Sequence, residues 1–440
     1  MKAARIAAAV AALLQTGAEP ATAAHAVKPP EVTITAGTGP AWSLAYRLAQ
    51  PAKTLLFARS PDGSRVASWT APADFEIVRT PDGEAVRRRD GAAFKTVTVT
   101  TPAAYRYLPN DYAPFSPFGD GGMLFHTGRF FACAEVCPAN AVWPMRLVAP
   151  GGRGVIVDGR RFNGGAAWTD RGEGRSVYVG QTRPITTPEQ VAVIDGALPP
   201  DIRAPLASRL PRFMAFYAAR LGRLATPPML FASYDVAHPK GWGRQGGVLP
   251  GQVFVHFYGA AWPEQMTKPD FLPELDWFFA HEAGHIFQRQ IVISDRDGWV
   301  HEGGAEAFAA LALRSVEPGS GGYVDRSIAK ARTDCTKQLA GQSIQQAIDA
   351  KRFDAAYSCG LILNLAIDRA VRAAAPGSDG LFSVWRDYIA RSGGRTTATE
   401  DDYLASLAKV GGPKLAEAAK AAVRSSSPDL DLGARPSGDL

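Results

Sequence analysis

Residues 281–285 read His-Glu-Ala-Gly-His, and residues 299–306 read Trp-Val-His-Glu-Gly-Gly-Ala-Glu. The first of these segments constrains the chain more than any other. Trp277-Phe278-Phe279-Ala280 precede it and Ile286-Phe287 follow it, so it reads as a buried helix. Helical spacing then places His281 and His285 one turn apart on one face. A buried helix bearing two imidazoles and a carboxylate must satisfy them, because unpaired polar groups are costly inside a protein. One zinc ion shared by the two imidazoles meets that need. Glu282 is rotated off their face, beside the metal, where a general base for a water belongs. The competing reading is a pair of ordinary core histidines. Against it, histidine is scarce, with seven in 440 residues.

A hydrolytic zinc site takes three protein ligands and leaves one position open. The Ala-rich apolar stretch from Trp299 to about Leu313 carries Glu302 and Glu306, four residues apart and so on one helical face. Glu302 is the natural third ligand. Glu306 would accept the free ring N–H of one zinc histidine and fix its tautomer. The alternative for this pair is a solvated acidic edge. His301 competes with Glu302 for the metal, but neighbouring residues on one helix do not both face it. Glu302 is preferred, because it has the partner one turn on.

The segment Trp299–Glu306 resembles the W-x-N-E-G-x-A-E segment of gluzincin metallopeptidases. These include the aminopeptidase N and glycyl aminopeptidase families, which have a thermolysin-like catalytic domain. The resemblance spans roughly residues 200–425. It implies that His281, His285 and Glu302 bind zinc and that Glu282 is the catalytic base. Tyr357-Ser-Cys-Gly360 is similar to the family's downstream Y-x-K-G, whose tyrosine stabilises the oxyanion. A phenol suits that role, being a neutral donor able to polarise a carbonyl oxygen. The chain also departs from the pattern. Sixteen residues separate His285 from Glu302, fewer than those aminopeptidases usually show. His301 stands for the usual Asn and Cys359 for the usual Lys. The family's G-x-M-E-N segment, whose Glu holds a substrate's free amine, corresponds to residues 246–256. These have the look of an edge strand for pairing with a substrate backbone but contain no Glu.

The length of 440 residues implies two or three domains, and 46% hydrophobic with 20% charged residues is a globular composition. Lys2 and Arg5 followed by an apolar run over 6–14 and small residues at 21–26 predict a secretory leader at 1–24, too short to span a bilayer. Its removal takes the net charge from +6 to +5, since Lys2, Arg5 and Glu19 leave with it. That mild basicity suits anionic cell-envelope surfaces. Arg87-Arg88-Arg89 reads as a solvated turn; without interleaved aromatics it is no nucleic-acid patch. The four cysteines fit two disulfides of an oxidising compartment, and proximity pairs Cys133 with Cys137 and Cys335 with Cys359. Metal binding by Cys133 and Cys137 is the alternative, but no nearby pair supplies further ligands.

Short β-branched runs at 31–36, 53–58, 93–100, 154–158 and 176–180, separated by Asp-Gly and Gly-Gly turns, predict a β-sandwich-like N-terminal region over 27–197. A division into two modules is expected near 114–122. Helical periodicity begins near residue 200, with strands at 230–234 and 252–258 and nearly continuous helix over 323–423. The expected fold is therefore multidomain α+β: the β-rich region, then a thermolysin-like α/β plus all-helical catalytic domain over 198–425, and an unstructured tail over 426–440. The expected function is an exported zinc metallopeptidase with one zinc per chain, cutting a peptide that lies along the strand at 252–258. Two alternatives stand beside it: a zinc amidase acting on a non-peptide cell-envelope substrate, and a catalytically idle binding scaffold.

Overall fold

The computed structural model describes residues 28–59, 62–108, 112–239, 241–288, 297–392 and 398–432. The expected leader and the end of the tail, 433–440, lie outside the described residues.

Strands alternate buried and exposed residues through Glu31–Thr35 and the first half of Ala41–Ala52, the mark of a sheet with one covered face. Three sheets make up the N-terminal region. A five-stranded sheet runs Gly165–Arg171, Val142–Val148, Glu31–Thr35, Ala41–Ala52, Phe94–Pro102. A second runs Arg160–Asn163, Gly154–Val157, Ser176–Gly180, Met123–His126, Phe115–Pro117. A four-stranded sheet runs Phe75–Thr80, Gly83–Arg88, Thr54–Phe57, Ala132–Ala134. One core joins all three, from Ile34, Leu44 and Val99 to Leu55 and Val86 and on to Phe115, Phe125 and Val177. Trp42 packs edge-on against both Phe115 and Phe125 at 5.2 Å. The chain therefore does not divide near 114–122, because residues on both sides of that stretch share these contacts.

A fourth sheet positions the site. Its order is Ile185–Thr186, Val191–Ile194, Met229–Asp235, Gln252–Tyr258, Gly243–Leu249. Val191–Ile194, Met229–Asp235 and Gln252–Tyr258 are parallel and nearly uniformly apolar, as strands covered on both faces are. The helix Pro200–Leu221 makes the crossover between the first two and covers one face. Phe118, Leu124, Ile156 and Tyr178 of the N-terminal sheets cover the other. This sheet starts at Ile185, so the expected boundary at 198 falls inside it.

Beyond the sheet the chain is helical: Phe271–Phe287, Gly298–Val316, Gly321–Leu339, Ile344–Asp349, Asp354–Ala374, Leu381–Ser392, Glu400–Gly411 and Pro413–Arg424. Both expected disulfides are formed, Cys133–Cys137 and Cys335–Cys359. The expectation of an unstructured tail needs correction over 426–432. Asp431 there accepts from Arg332 at 2.9 and 2.7 Å and from Arg369 at 3.1 Å, which ties the segment to the helical layer. No helix among the described residues is long and apolar enough to cross a membrane.

Candidate metal centre

The helix Phe271–Phe287 buries Phe279, Ala280, Ala283, Ile286 and Phe287 in the core, and Tyr217 Oη donates to the Ala280 carbonyl at 3.0 Å. This packing turns His281 and His285 towards Gly298–Val316, and these two and Glu282 are each under 10% exposed. His281 Nε2 and His285 Nε2 lie 3.0 Å apart. Glu302 Oε2 lies 3.1 Å from His285 Nε2 and 3.5 Å from His281 Nε2. Zinc–ligand bonds near 2.0–2.1 Å at tetrahedral angles require ligand atoms about 3.3 Å apart. The triangle matches that, so the three residues fit zinc. Among the described residues this is the only group of three or more His, Cys, Asp or Glu side chains able to share an ion.

The surrounding shell is equally specific. Glu306 Oε1 lies 3.2 Å from His281 Nδ1, though off the hydrogen-bond line, and Glu306 Oε2 accepts from Trp277 Nε1 at 2.7 Å. His301 is not part of the triangle. Its ring stacks on His285, centroids 4.4 Å apart, and its Nδ1 is 3.6 Å from Glu302 Oε1. Sequence reasoning missed Gln288. Fully buried, its Oε1 accepts from His285 Nδ1 at 2.8 Å and its Nε2 donates to the His301 carbonyl at 2.9 Å. It thereby leaves His285 Nε2 free for a metal and ties one metal helix to the other. The available signal was its position, nearly one turn after His285.

Tyr357 reaches the site through a glycine contact. A Cβ on Gly303 would stand 2.4 Å from Gly360 Cα, and a Cβ on Gly360 would stand 2.7 Å from Gly303 Cα. Backbone therefore meets backbone where Gly298–Val316 crosses Asp354–Ala374, one residue after Glu302 and three after Tyr357. The Tyr357 ring lies parallel to His281 with centroids 6.0 Å apart. The Cys335–Cys359 bridge fastens this helix to Gly321–Leu339. Between these two helices a groove of about 470 Å³ opens beside the site, lined by Trp277, Glu306, Tyr323, Lys330, Asp334 and Tyr357 among others.

The substrate-side strand differs from expectation. Gln252–Tyr258 is buried throughout and paired on both sides, so no peptide can add to it. The edge is Gly243–Leu249. Glu274 Oε1 accepts from Arg244 Nη2 at 3.0 Å, and a Cβ on Gly246 would stand 3.0 Å from the Phe278 ring. Glu274, Phe278 and Glu282 are successive i, i+4 positions, so the face that meets this strand is the face that carries Glu282.

The ionisable groups of the site act strongly on one another. Burial depresses His281, but the carboxylates of Glu302 and Glu306 beside it outweigh that and hold the imidazole well above its usual range. Burial acts to raise Glu302, yet the charge on His285 and hydrogen bonds from the histidines hold it well below the carboxylate range. Glu282 is raised, by burial first, with the two histidines opposing and Glu302 and Glu306 adding to the rise. Burial, then the charge of Glu302, raises Tyr357, which keeps its phenol proton available. His301 is depressed by burial and by His285. Such a set of carboxylates around two imidazoles is what a divalent cation neutralises.

No family model and no curated protein matches the chain. Solved structures do. An aminopeptidase N family protein from Idiomarina loihiensis superposes with TM-score 0.68 at 12% identity, over 91% of this chain and 77% of that one. An M1 zinc metallopeptidase mutant from Deinococcus radiodurans, bound to a Tyr-Ser-Ala substrate, gives 0.54 at 15%, over 92% and 95%. Leukotriene A4 hydrolase from Saccharomyces cerevisiae gives 0.52 at 12%, over 87% of this chain and 64% of that one. The β-rich region followed by a helical half thus has the multidomain fold of these aminopeptidase N-like structures, as the resemblance implied.

Proposed function

We propose that this protein is an exported, zinc-dependent metallopeptidase. The observation that carries the reading is the ligand triangle of His281, His285 and Glu302 with Glu282 one residue along the helix and off its face. Zinc, when bound, supplies a Lewis acid that makes a water nucleophilic near neutral pH. Glu282 would take a proton from the water that attacks the scissile carbonyl carbon and pass it to the amine as the C–N bond breaks. Tyr357 donates its phenol O–H to the oxyanion. Gln288 and Glu306 hold the two imidazoles in orientation. The peptide lies along Gly243–Leu249, the strand that faces Glu282. Two disulfides support export to an oxidising compartment.

The test is cleavage of a peptide library by zinc-loaded protein, read by mass spectrometry, beside cell-wall fragments in a parallel arm. Chelator-sensitive peptide hydrolysis that disappears in Glu282→Gln is expected. Hydrolysis of the cell-wall fragments alone would make it an amidase, and an inert zinc-loaded protein would make it a scaffold.

A further inference from the structure

The N-terminal region brings Tyr112 to the edge of the strand Gly243–Leu249. Gly243–Leu249 and Gln252–Tyr258 form a hairpin closed by Pro250 and Gly251, with Gly251 at φ 68°. In a two-residue hairpin the residues flanking the turn, Leu249 and Gln252, are a hydrogen-bonded pair, and such pairs alternate along the ladder. Leu249, Gly247, Gln245 and Gly243 therefore turn their backbone groups inward. Val248, Gly246 and Arg244 turn theirs to the free edge.

One of these outward groups is already taken. Tyr112 Oη donates to the Val248 carbonyl at 2.7 Å. Its ring is held edge-on by Phe254 and His126, at 4.8 and 5.4 Å between centroids. A Cβ on Gly247 would stand 2.9 Å from that ring, so the strand needs glycine there to receive it. The chain just upstream is tied to the same strand: Tyr105 Oη donates to Gln245 Oε1 and Gln245 Nε2 donates to the Leu108 carbonyl, each at 2.9 Å. Tyr112 is thus a fixed part of the strand's edge.

Its position along the cleft follows from two contacts. Arg244 meets Glu274 and Gly246 meets Phe278. Two strand residues advance about 6.6 Å and four helix residues about 6 Å, so the two elements climb in step. One further step brings Val248 level with Glu282.

We propose that Tyr112 is a specificity-determining residue that closes the peptide cleft at the level of the metal centre. A bound peptide pairs with Gly246 and Arg244 and cannot continue past Val248. The scissile bond then falls near one end of the substrate, and the N-terminal region completes the cleft. The closing group is a neutral hydroxyl, so the end it meets needs no charge. This inference rests on the metallopeptidase reading.

The experiment uses a peptide that the zinc-loaded full chain cleaves, re-synthesised with neutral extensions of increasing length at each end. Cleavage positions are mapped by mass spectrometry for wild type, Tyr112→Phe and Tyr112→Ala, with thermal unfolding as the folding control. Wild type should cut at a constant distance from one terminus whatever the length. Tyr112→Ala should raise the ratio of internal to terminal products by roughly tenfold or more, as expected for a lost barrier of that order. Tyr112→Phe keeps the ring and frees the Val248 carbonyl, so its cut should move inward from the terminus. Wild type cutting the interior of peptides extended at both ends overturns the proposal, as do unchanged positions in Tyr112→Phe, which keeps the ring contacts. Failure of all peptides to show chelator-sensitive cleavage overturns the metallopeptidase reading itself.

Discussion

Two regions of this protein bury pairs of histidines and treat them in opposite ways. In the helical layer, His281 and His285 sit among Glu282, Glu302 and Glu306. At the junction between the N-terminal sheets and the fourth sheet, His126 and His256 are as deeply buried but face other groups. His126 Nε2 donates to the Glu173 carbonyl, its Nδ1 has no partner among the described residues, and Arg59 and Arg129 are its charged neighbours. His256 Nδ1 meets Ser233 Oγ at 2.8 Å, its Nε2 is likewise unpartnered among the described residues, and no carboxylate is among the groups that act on it. Burial lowers both to about 3, with Arg59 and Arg129 adding to it at His126. The lesson is that burial alone makes a neutral core histidine. It is the carboxylates that turn a buried pair into a cation site.

The sharpest way to break this contrast is to remove the base and keep the ligands. Glu282→Gln should lower kcat about a hundred- to ten-thousandfold, the usual worth of a general base, with metal content unchanged. A fall in metal to match would make Glu282 a ligand.

Acid should find the junction. The folded-state values near 3 lie below the unfolded value of about 6.5 for histidine. Between those limits the unfolded chain binds more protons, so stability is complete above pH 6.5 and declines as pH falls towards 3. The slope approaches about 1.4 kcal/mol per pH unit for each histidine. Urea unfolding at pH 7, 5.5 and 4 measures it, and His126→Gln should flatten the acid limb. An unaltered limb in that variant would place the acid sensitivity elsewhere.

The Cys335–Cys359 bridge closes a loop with a sequence separation of 24. On the loop-entropy model it stabilises by about 3 kcal/mol, so the double serine variant should unfold that much more easily. Equal denaturation midpoints with and without the bridge would count against the estimate. The smallest expected effect belongs to Gln288. Gln288→Ala should weaken zinc affinity about ten- to a hundredfold in chelator competition. Gln288→Glu, which still accepts from His285 Nδ1, should restore most of it. Equal losses in both would mean a packing role only.

Much of the metal centre was legible because its chemistry is local in sequence. His281, Glu282 and His285 lie within about one turn of one helix, and Glu302 and Glu306 within about one turn of the next. What stayed hidden depends on pairings between distant segments. Residues 246–256 read as one edge strand rather than a hairpin, because a Pro-Gly turn inside an apolar run leaves periodicity nearly unbroken. The approach of Gly303 to Gly360 joins two helices more than fifty residues apart in sequence and has no local signal. Tyr112 is unremarkable in sequence, and only the fold brings it to Val248. The N-terminal strands were visible by alternation, but their merger into one core rests on Trp42 meeting Phe115 and Phe125 across the sheets.

The central claim is that His281, His285 and Glu302 hold one zinc while Glu282 stands free of it. Elemental analysis of purified protein tests this most directly, across wild type, His285→Ala, Glu302→Gln and Glu282→Gln. About one zinc per chain is expected in wild type and in Glu282→Gln, with most of it lost in His285→Ala and Glu302→Gln. Zinc lost from Glu282→Gln but retained in Glu302→Gln would contradict the account.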